Sequence, residues 1–254
     1  MVIFEALGEK YSFPENLSEV SLGQFIQYCE LENKYLPSKM KELILLQEEL
    51  AEIPLSDKLD RNPVEEKIEA LYQEINSPDY KELILFWYSR IISFWTGLKY
   101  ETIIGADGGS GMNVAQLKAL ALKLQELVNT PPEEVEYTNV IEHEGVNYFL
   151  PSQYMKEGTV VEYLEASQMY KIQETLAGGQ WSSLAKVICI LLRKEGEKYS
   201  KELLKREELF LRLPMDKAYK VAFFLLKRMD TLKSVFLTYT QAQIVKKLEL
   251  ELKL

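Results

Sequence analysis

The chain has 254 residues, of which 47% are hydrophobic and 27% are charged, and its formal net charge is −9. This composition is ordinary for a globular protein and allows a sizeable core. Because phosphate binding requires a basic face, and the lysines and arginines here are interleaved with acids, the charge balance argues against free nucleic acid as a partner.

The cysteines and the hydropathy pattern argue against a disulfide-stapled, secreted or membrane-spanning protein. Cys29 and Cys189 lie far apart in apolar helical patterns, so a disulfide framework is excluded by count and both are predicted to be small buried hydrophobic residues. The N-terminus shows no basic segment followed by an apolar stretch, so we expect no signal peptide. The longest apolar run, 83–95, is interrupted by Arg90 and is too short to span a bilayer, so we expect no membrane partner.

The first predicted element is a β-hairpin. Val2–Ala6 and Lys10–Phe13 have strand patterns and flank a glycine turn. Pro14 is predicted to end the hairpin, because proline cannot donate to the ladder. Ser21 followed three residues later by Gln24 predicts a capping box and the start of a helix.

Three more helices are predicted before residue 100. The first spans about 37–53, and a loop is predicted over 54–61. An Asn-Pro pair at 62–63 indicates the next helix start, with a capping asparagine and proline at the first helical position. A Ser-Pro pair at 77–78 repeats the signal and opens the most apolar helix, which we expect to be central or shared with a partner.

Residues 105–111, Gly-Ala-Asp-Gly-Gly-Ser-Gly, are predicted to be a flexible linker. The segment lacks the Gly-Lys-[Ser/Thr] of a phosphate-binding loop, and its glycine spacing is not that of the dinucleotide fingerprint. Asn113, with Gln116, is predicted to cap the next helix, which carries a stripe of leucines.

A second hairpin is predicted from strands 137–142 and 146–150, and the remainder of this half is predicted to be helical. His143, the only histidine, lies between two glutamates in the expected turn. Adjacent strand residues point to opposite faces, so these three side chains are poorly placed for one metal ion, and a solvated turn is predicted.

The two hairpins carry one pattern, G-x-x-Y-x-[F/L]-P, at 8–14 and at 145–151. Each copy precedes a helix-start pattern, and Tyr11 and Tyr148 are predicted to pack each hairpin against its helix. The predicted fold class is mostly α (α+β), with helical bundle halves that are each led by a short β-hairpin and form an internal pseudo-repeat. The predicted domains are 1–104 with the first hairpin, 105–135 with the linker and leucine-striped helix, and 136–254 with the second hairpin.

The last seven residues, 248–254, alternate strictly between leucine and a charged residue. This is the pattern of a half-buried strand, whereas the residue types also suit the frayed end of a helix, and both interpretations stay open. A strand would need an edge to pair with, in one of the hairpins or in a neighbouring copy.

The candidate site residues are partner-binding ones. Two aromatic-rich helices carry apolar side chains away from their main stripes, which is typical of protein interfaces. With the terminal leucines, the predicted partner-binding residues are Phe86, Tyr88, Phe223, Phe224, Leu248, Leu250, Leu252 and Leu254. We predict no catalytic, cofactor-binding or metal-binding residues, and we interpret the paired carboxylates as solvated helix faces.

Several of these motifs resemble phage proteins. The first hairpin pattern followed by Ser-Leu-Gly-Gln-Phe-Ile at 21–26 resembles the start of many tailed-bacteriophage morphogenesis proteins. Ile-Ile-Ser-Phe-Trp-Thr-Gly-Leu at 91–98, followed by a loop and the helix from Asn113, resembles the pattern of tail-assembly chaperones. Residues 170–236, with Leu-Pro-Met-Asp at 213–216, resemble proteins encoded among the structural genes of phages of gut Bacteroidales, including crAss-like phages.

The resemblance implies a non-enzymatic virion structural or assembly protein, such as a head–tail connector, a tail protein or a packaged component. Its expected partners are other phage structural proteins, with copies of itself as a further candidate, and its expected location is the virion, after assembly in the bacterial host cytoplasm. The first alternative is a tail-assembly chaperone that is not retained in the virion. Typical chaperones of this kind are shorter and the opening module here is repeated, which favours the virion role.

Two further alternatives are a host-directed inhibitor and a metal-dependent enzyme. The enzyme would require inward-facing acids around a cleft and strongly shifted carboxylate pKa values.

Overall fold

The computed structural model describes residues 1–129, 138–150 and 181–224. The chain forms two compact units: the first comprises Met1–Glu19 and Ile26–Pro131, and the second comprises Val20–Phe25 and Pro132–Leu254. The fold is mostly α with two small antiparallel β-hairpins, which confirms the predicted fold class. The internal repeat is not confirmed, because the residues directly after the second hairpin lie outside the described part.

The first unit opens with the predicted hairpin. Strand β1 (Val2–Ala6) pairs antiparallel with β2 (Glu9–Phe13). Leu7 and Gly8 between them have φ of 56° and 81°, the left-handed geometry of a two-residue turn whose twist matches that of the strands. One turn of 3-10 helix, Leu17–Glu19, follows.

The helices that begin before residue 130 are α1 (Leu22–Tyr35), α2 (Ser38–Glu52), α3 (Lys58–Ile75), α4 (Pro78–Thr96), α5 (Tyr100–Ile104) and α6 (Val114–Asn129). Ser77 precedes Pro78 at the start of α4, as the sequence predicts, and Gly97 ends α4 with a φ of 72°. The Asn113 carboxamide accepts the Ala115 backbone N–H at 2.8 Å and so caps α6.

Helix α3 starts earlier than the sequence predicts. Its N-cap is Asp57, whose carboxylate accepts the Asp60 backbone N–H at 3.3 Å. Pro63 therefore lies inside the helix, although it cannot donate to the carbonyl one turn before it. The predicted start at Asn62 is wrong because Asp57 already caps the helix five residues upstream.

Arg61, predicted to lie in a loop, has a structural role within α3. Its Nη1 donates to the backbone carbonyls of Leu50 at 3.1 Å and Ile53 at 2.9 Å. These carbonyls lie at the C-terminal end of α2, where the helix leaves acceptors without partners. These two hydrogen bonds fix the connection between α2 and α3. They also stabilise the helical conformation of residues 58–61 at the start of α3.

Helix α4 carries the core of the first unit, as its apolar sequence predicts. Trp87, Ile91 and Ile92 are almost inaccessible to solvent. On α1, the Tyr28 ring packs 5.5 Å from the Trp95 ring, between centroids. A second cluster, formed by α2, α3 and the start of α4, contains Leu43, Leu46, Val64, Leu71, Ile75 and Tyr80.

The glycine-rich loop between α5 and α6 is held by hydrogen bonds within the loop and to the end of α5. The Met112 N–H donates to the Ile103 carbonyl at 2.8 Å, and Asp107 accepts from Thr102 Oγ1 at 2.8 Å. A Cβ at Gly105 would lie 2.9 Å from the Gly109 carbonyl oxygen, so the loop needs glycine for close backbone approach.

The second unit contains β3 (Val140–His143) and β4 (Val146–Phe149), which pair antiparallel. Its described helices are α7 (Leu184–Leu191), the 3-10 helix Lys201–Arg206, α8 (Glu207–Leu211) and α9, which occupies 215–224. Helix α7 is buried on nearly all sides and forms the core of this unit.

The predicted capping box at the start of α1 is confirmed and lies in the second unit. Ser21 Oγ accepts the Gln24 N–H at 3.2 Å, and Gln24 Oε1 accepts the Ser21 N–H at 3.0 Å. Backbone bonds of 2.8 Å join Leu22 N–H to the Leu213 carbonyl and Met215 N–H to the Val20 carbonyl. Residues 20–25 are therefore held to the start of α9 by their backbone.

Candidate interaction surface

The outer edge of β1 has no strand partner in the described part of the chain. Ala6 and Glu9 flank the two-residue turn and oppose each other, so they form a hydrogen-bonded pair. The alternation of antiparallel pairs then makes Ile3 and Glu5 members of non-hydrogen-bonded pairs. Their backbone N–H and C=O groups consequently point away from β2, toward the open edge.

An apolar groove of about 300 Å³ lies beside this edge, between the hairpin and α6. β1 contributes Val2, Phe4 and Ala6, which occupy alternate positions and therefore share one face of the hairpin. Met112 and Leu120 contribute from the segment that leads into α6 and from α6 itself. Val2 and Phe4 are only half-buried, so the groove presents apolar surface to solvent.

One cation lies against the groove. Lys123 lines it, with its ammonium nitrogen 5.7 Å from the centre of the Phe13 ring, a distance at which the cation is attracted to the ring face. Glu5 and Gln116 are the other polar residues of the lining. Ala119 also lines the groove, and its small side chain leaves space beside Leu120 on this face of α6.

Two further apolar side chains of β1 and α6, Ile3 and Val114, are exposed outside the lining of the groove. Ile3 lies on the opposite face of β1 and is 71% exposed, and Val114 at the start of α6 is 58% exposed. A strand edge with free backbone groups, exposed apolar side chains and an adjacent groove has the features of a surface that accepts another strand.

The predicted partner-binding aromatics of α4 lie elsewhere in the first unit. Phe86 is half-buried, and its ring is 5.8 Å from the Tyr35 ring and 5.5 Å from the Tyr100 ring. The Arg90 guanidinium lies 3.8 Å from the Tyr100 ring centre and 5.1 Å from that of Phe86. Tyr88 is buried against Trp87, and burial raises the pKa of its phenol.

The other predicted residues belong to the second unit. Phe223 is 42% exposed, whereas Phe224 is buried. Leu248, Leu250, Leu252 and Leu254 lie outside the described residues. The structure thus places exposed apolar surface at Phe223, and it does not bring Phe86 and Tyr88 to one exposed patch.

His143 is buried, and the prediction of a solvated turn is wrong. It ends β3, the turn consists of Glu144 and Gly145, and only 5% of the residue is exposed. Its Nε2 lies 3.0 Å from the Leu209 carbonyl oxygen. Because a carbonyl can only accept, Nε2 carries the proton. The ring also stacks on Phe210.

The glutamates on either side of His143 form ion pairs. Glu142 accepts from the Gly145 N–H and pairs with Lys217 at 3.1 Å, and both contacts lower the pKa of its carboxyl. The guanidinium of Arg212 donates to Glu144 at 2.8 Å, which lowers the pKa of that carboxyl also. Arg212 lies in the segment between α8 and α9 and Lys217 lies in α9, so the second hairpin is tied to that part of its unit.

The structure refines the interpretation of the cysteines. Cys189 is fully buried, whereas Cys29 is half-buried. Burial is the largest cause that raises the pKa of each thiol to about 12, so both are protonated near neutral pH. Within the described ranges, no three or more His, Cys, Asp or Glu side chains are grouped so that they could hold a metal ion.

Sequence reasoning did not identify the groove. The signals that could have found it are the alternation of Val2, Phe4 and Ala6 in a strand at the edge of a two-stranded sheet, and Ala119 within the leucine stripe of α6. Each of these patterns also fits an ordinary core, and only the packing of hairpin on helix separates the two interpretations.

Comparisons with known proteins give no relative: no protein-family model matches the chain, and no curated protein or solved structure shows significant similarity to it. Across the residues that the structure describes, none of the helices is both long enough and apolar enough to cross a membrane.

Proposed function

We propose that this chain is a non-enzymatic bacteriophage protein that works through protein–protein contacts during virion assembly and stays in the particle. The observation that carries the contact role is the open edge of β1 beside the groove of Val2, Phe4 and Leu120. The phage assignment rests on the resemblance of the sequence motifs to phage structural and assembly proteins.

The surface suits an extended segment of another protein. Backbone groups of Ile3 and Glu5 supply hydrogen bonds that do not depend on the partner's sequence, and the groove selects for apolar side chains at alternate positions. The proposed partners are other phage structural proteins, met in the bacterial host cytoplasm where the particle assembles.

Proteomics of purified virions tests the assignment. We expect the chain in gradient-purified particles at a constant ratio to the major capsid or tail protein, and we expect it to resist removal by high-salt washing. A matched fraction of unassembled proteins from the same lysate is the control. If the chain is confined to that fraction, bound to one unassembled structural protein, the tail-assembly chaperone replaces the virion protein as the better assignment.

A further inference from the structure

We propose that the open edge of β1 takes a third strand, and that this strand is the segment Leu248–Leu254 of a second copy of the chain. The inference rests on the proposed contact role of this edge and deepens it by naming a second copy of the chain as the occupant.

The backbone of β1 has outward-pointing hydrogen-bonding groups that a third strand can pair with. Ile3 and Glu5 each direct one N–H and one C=O outward from the hairpin. Natural edge strands are commonly protected by proline, by lysine or by a covering element. β1 contains neither residue, and its outward positions include Ile3, which is 71% exposed.

The side-chain pattern of the segment matches the groove. In a strand added next to β1, every second side chain falls on the face that carries Val2, Phe4 and Ala6. The sequence of 248–254 is Leu-Glu-Leu-Glu-Leu-Lys-Leu, so one face is made of leucines alone. Val2 and Ala6 are four residue steps apart, roughly 13 Å at the strand rise, and three successive alternate leucines span the same distance.

The charges of the segment also fit this orientation. With the leucines over the groove, Glu249, Glu251 and Lys253 point to the opposite face, where Ile3, Glu5 and Lys10 are exposed to water. The charged groups therefore stay solvated, and none has to be buried without a partner. The alternative register, shifted by one residue, would place these charges in the apolar groove.

A second copy is the occupant that symmetry favours. If each of two copies donates its segment to the other's β1, the exchange is two-fold and the same contact forms twice. Association then buries both grooves at once, which a single bound segment cannot do.

The test measures the mass of the purified full-length chain by sedimentation equilibrium across a concentration series. We expect a dimer for the natural sequence. A deletion of 248–254 and the substitution Ile3→Pro should each weaken dimerisation by about tenfold or more, since each removes hydrogen bonds or apolar contacts of the added strand.

Ile3→Pro is informative because the Ile3 N–H faces away from β2. Proline there removes a donor from the open edge and leaves the pairing with β2 in place. The control is Ile3→Thr, which changes the same exposed side chain but keeps the N–H, and which should dimerise like the natural chain. Circular dichroism checks that all variants keep their helical content.

Three results would overturn the inference. The deletion variant and Ile3→Pro could dimerise as well as the natural chain. Ile3→Thr could lose dimerisation as fully as Ile3→Pro. The natural chain could also be monomeric at all concentrations, and if its Ile3 and Glu5 amides then lost protection from hydrogen exchange on deletion of 248–254, the occupant would be the chain's own segment. A monomeric chain found in virions would leave the proposed function intact.

Discussion

The two hairpins share a sequence pattern and a turn geometry but differ in how they are held. Leu7–Gly8 and Glu144–Gly145 both have positive φ, at 56° and 81° and at 50° and 74°. Tyr11 is half-buried, 5.7 Å from the Phe4 ring of its own hairpin. Tyr148 is 3% exposed and packs edge-on against Phe210 of α8, 5.2 Å away.

Their strand edges differ in the same sense. Phe149 of β4 exchanges two backbone hydrogen bonds with Arg193 at its outer edge, at 2.7 Å and 3.2 Å. β1 makes no comparable backbone bond within the described residues. One sequence pattern therefore specifies the turn and the tyrosine position, whereas the surroundings decide whether the hairpin is an anchored element or an open edge.

The largest expected difference lies in the two tyrosines. Tyr148→Ala should destabilise the second unit by about 3 kcal/mol, because it leaves a cavity against Phe210. Tyr11→Ala should cost the first unit roughly 1 kcal/mol or less, since it removes one half-buried ring contact. Urea unfolding, followed by amide hydrogen exchange in each unit, measures both. Equal losses would contradict the contrast between the hairpins.

The buried histidine gives the next effect. His143→Ala should destabilise the second unit by about 1–3 kcal/mol, because it removes a buried ring together with its hydrogen bond to the Leu209 carbonyl, which keeps only the Arg212 N–H as a donor. His143→Gln is the control, since its amide can donate from a similar distance and should recover part of the loss. Similar stabilities of the two variants would show that packing on Phe210, and not the hydrogen bond, holds the ring.

The turns should respond alike. Gly8→Ala and Gly145→Ala each place a Cβ on a residue with left-handed backbone, with no other atom within 4 Å of it. The cost in each is expected to be about 1 kcal/mol from backbone strain alone. Thermal unfolding of the pair checks this. A clearly larger loss at one turn would mean that the turns differ as the hairpins' surroundings do.

Acid should loosen the second hairpin through its two flanking glutamates. Contacts with Lys217 and Arg212 lower the folded pKa values of Glu142 and Glu144. Their contribution is therefore present above the ordinary glutamate pKa near 4.3 and is lost as the pH falls through the lower folded values. Hydrogen exchange of β3 amides between pH 5 and pH 3 should show it, and Glu142→Gln with Glu144→Gln should flatten the change. The effect is small because both side chains are exposed.

The sequence predicts those parts of the fold that depend on local chemistry. The capping box of Ser21 and Gln24, the Ser77–Pro78 start and both hairpins follow from residues that lie within a few positions of one another. Each uses a side chain or a turn that satisfies nearby backbone groups, so no distant contact is needed to predict it.

The wrong predictions concern features that depend on contacts between residues far apart in the sequence. His143 looks solvated beside two glutamates, and its burial comes from Leu209 and Phe210, far along the chain. The start of α3 depends on Arg61 reaching back to α2 as well as on Asp57. The groove beside β1 likewise requires α6 to approach the hairpin. Local patterns contain no information on which of these approaches takes place.

The membership of Val20–Phe25 in the second unit has a consequence for synthesis. The Ser21 bridge to Pro214 and the edge-on packing of Phe25 against Trp181 and Tyr219 join residues that lie far apart in the sequence. A growing chain exposes Phe25 long before its partners leave the ribosome, so the second unit closes late. A fragment that starts at residue 132 would lack this segment. To express the second unit alone, residues 20–25 would have to be joined to the fragment through a linker, as in a circular permutant.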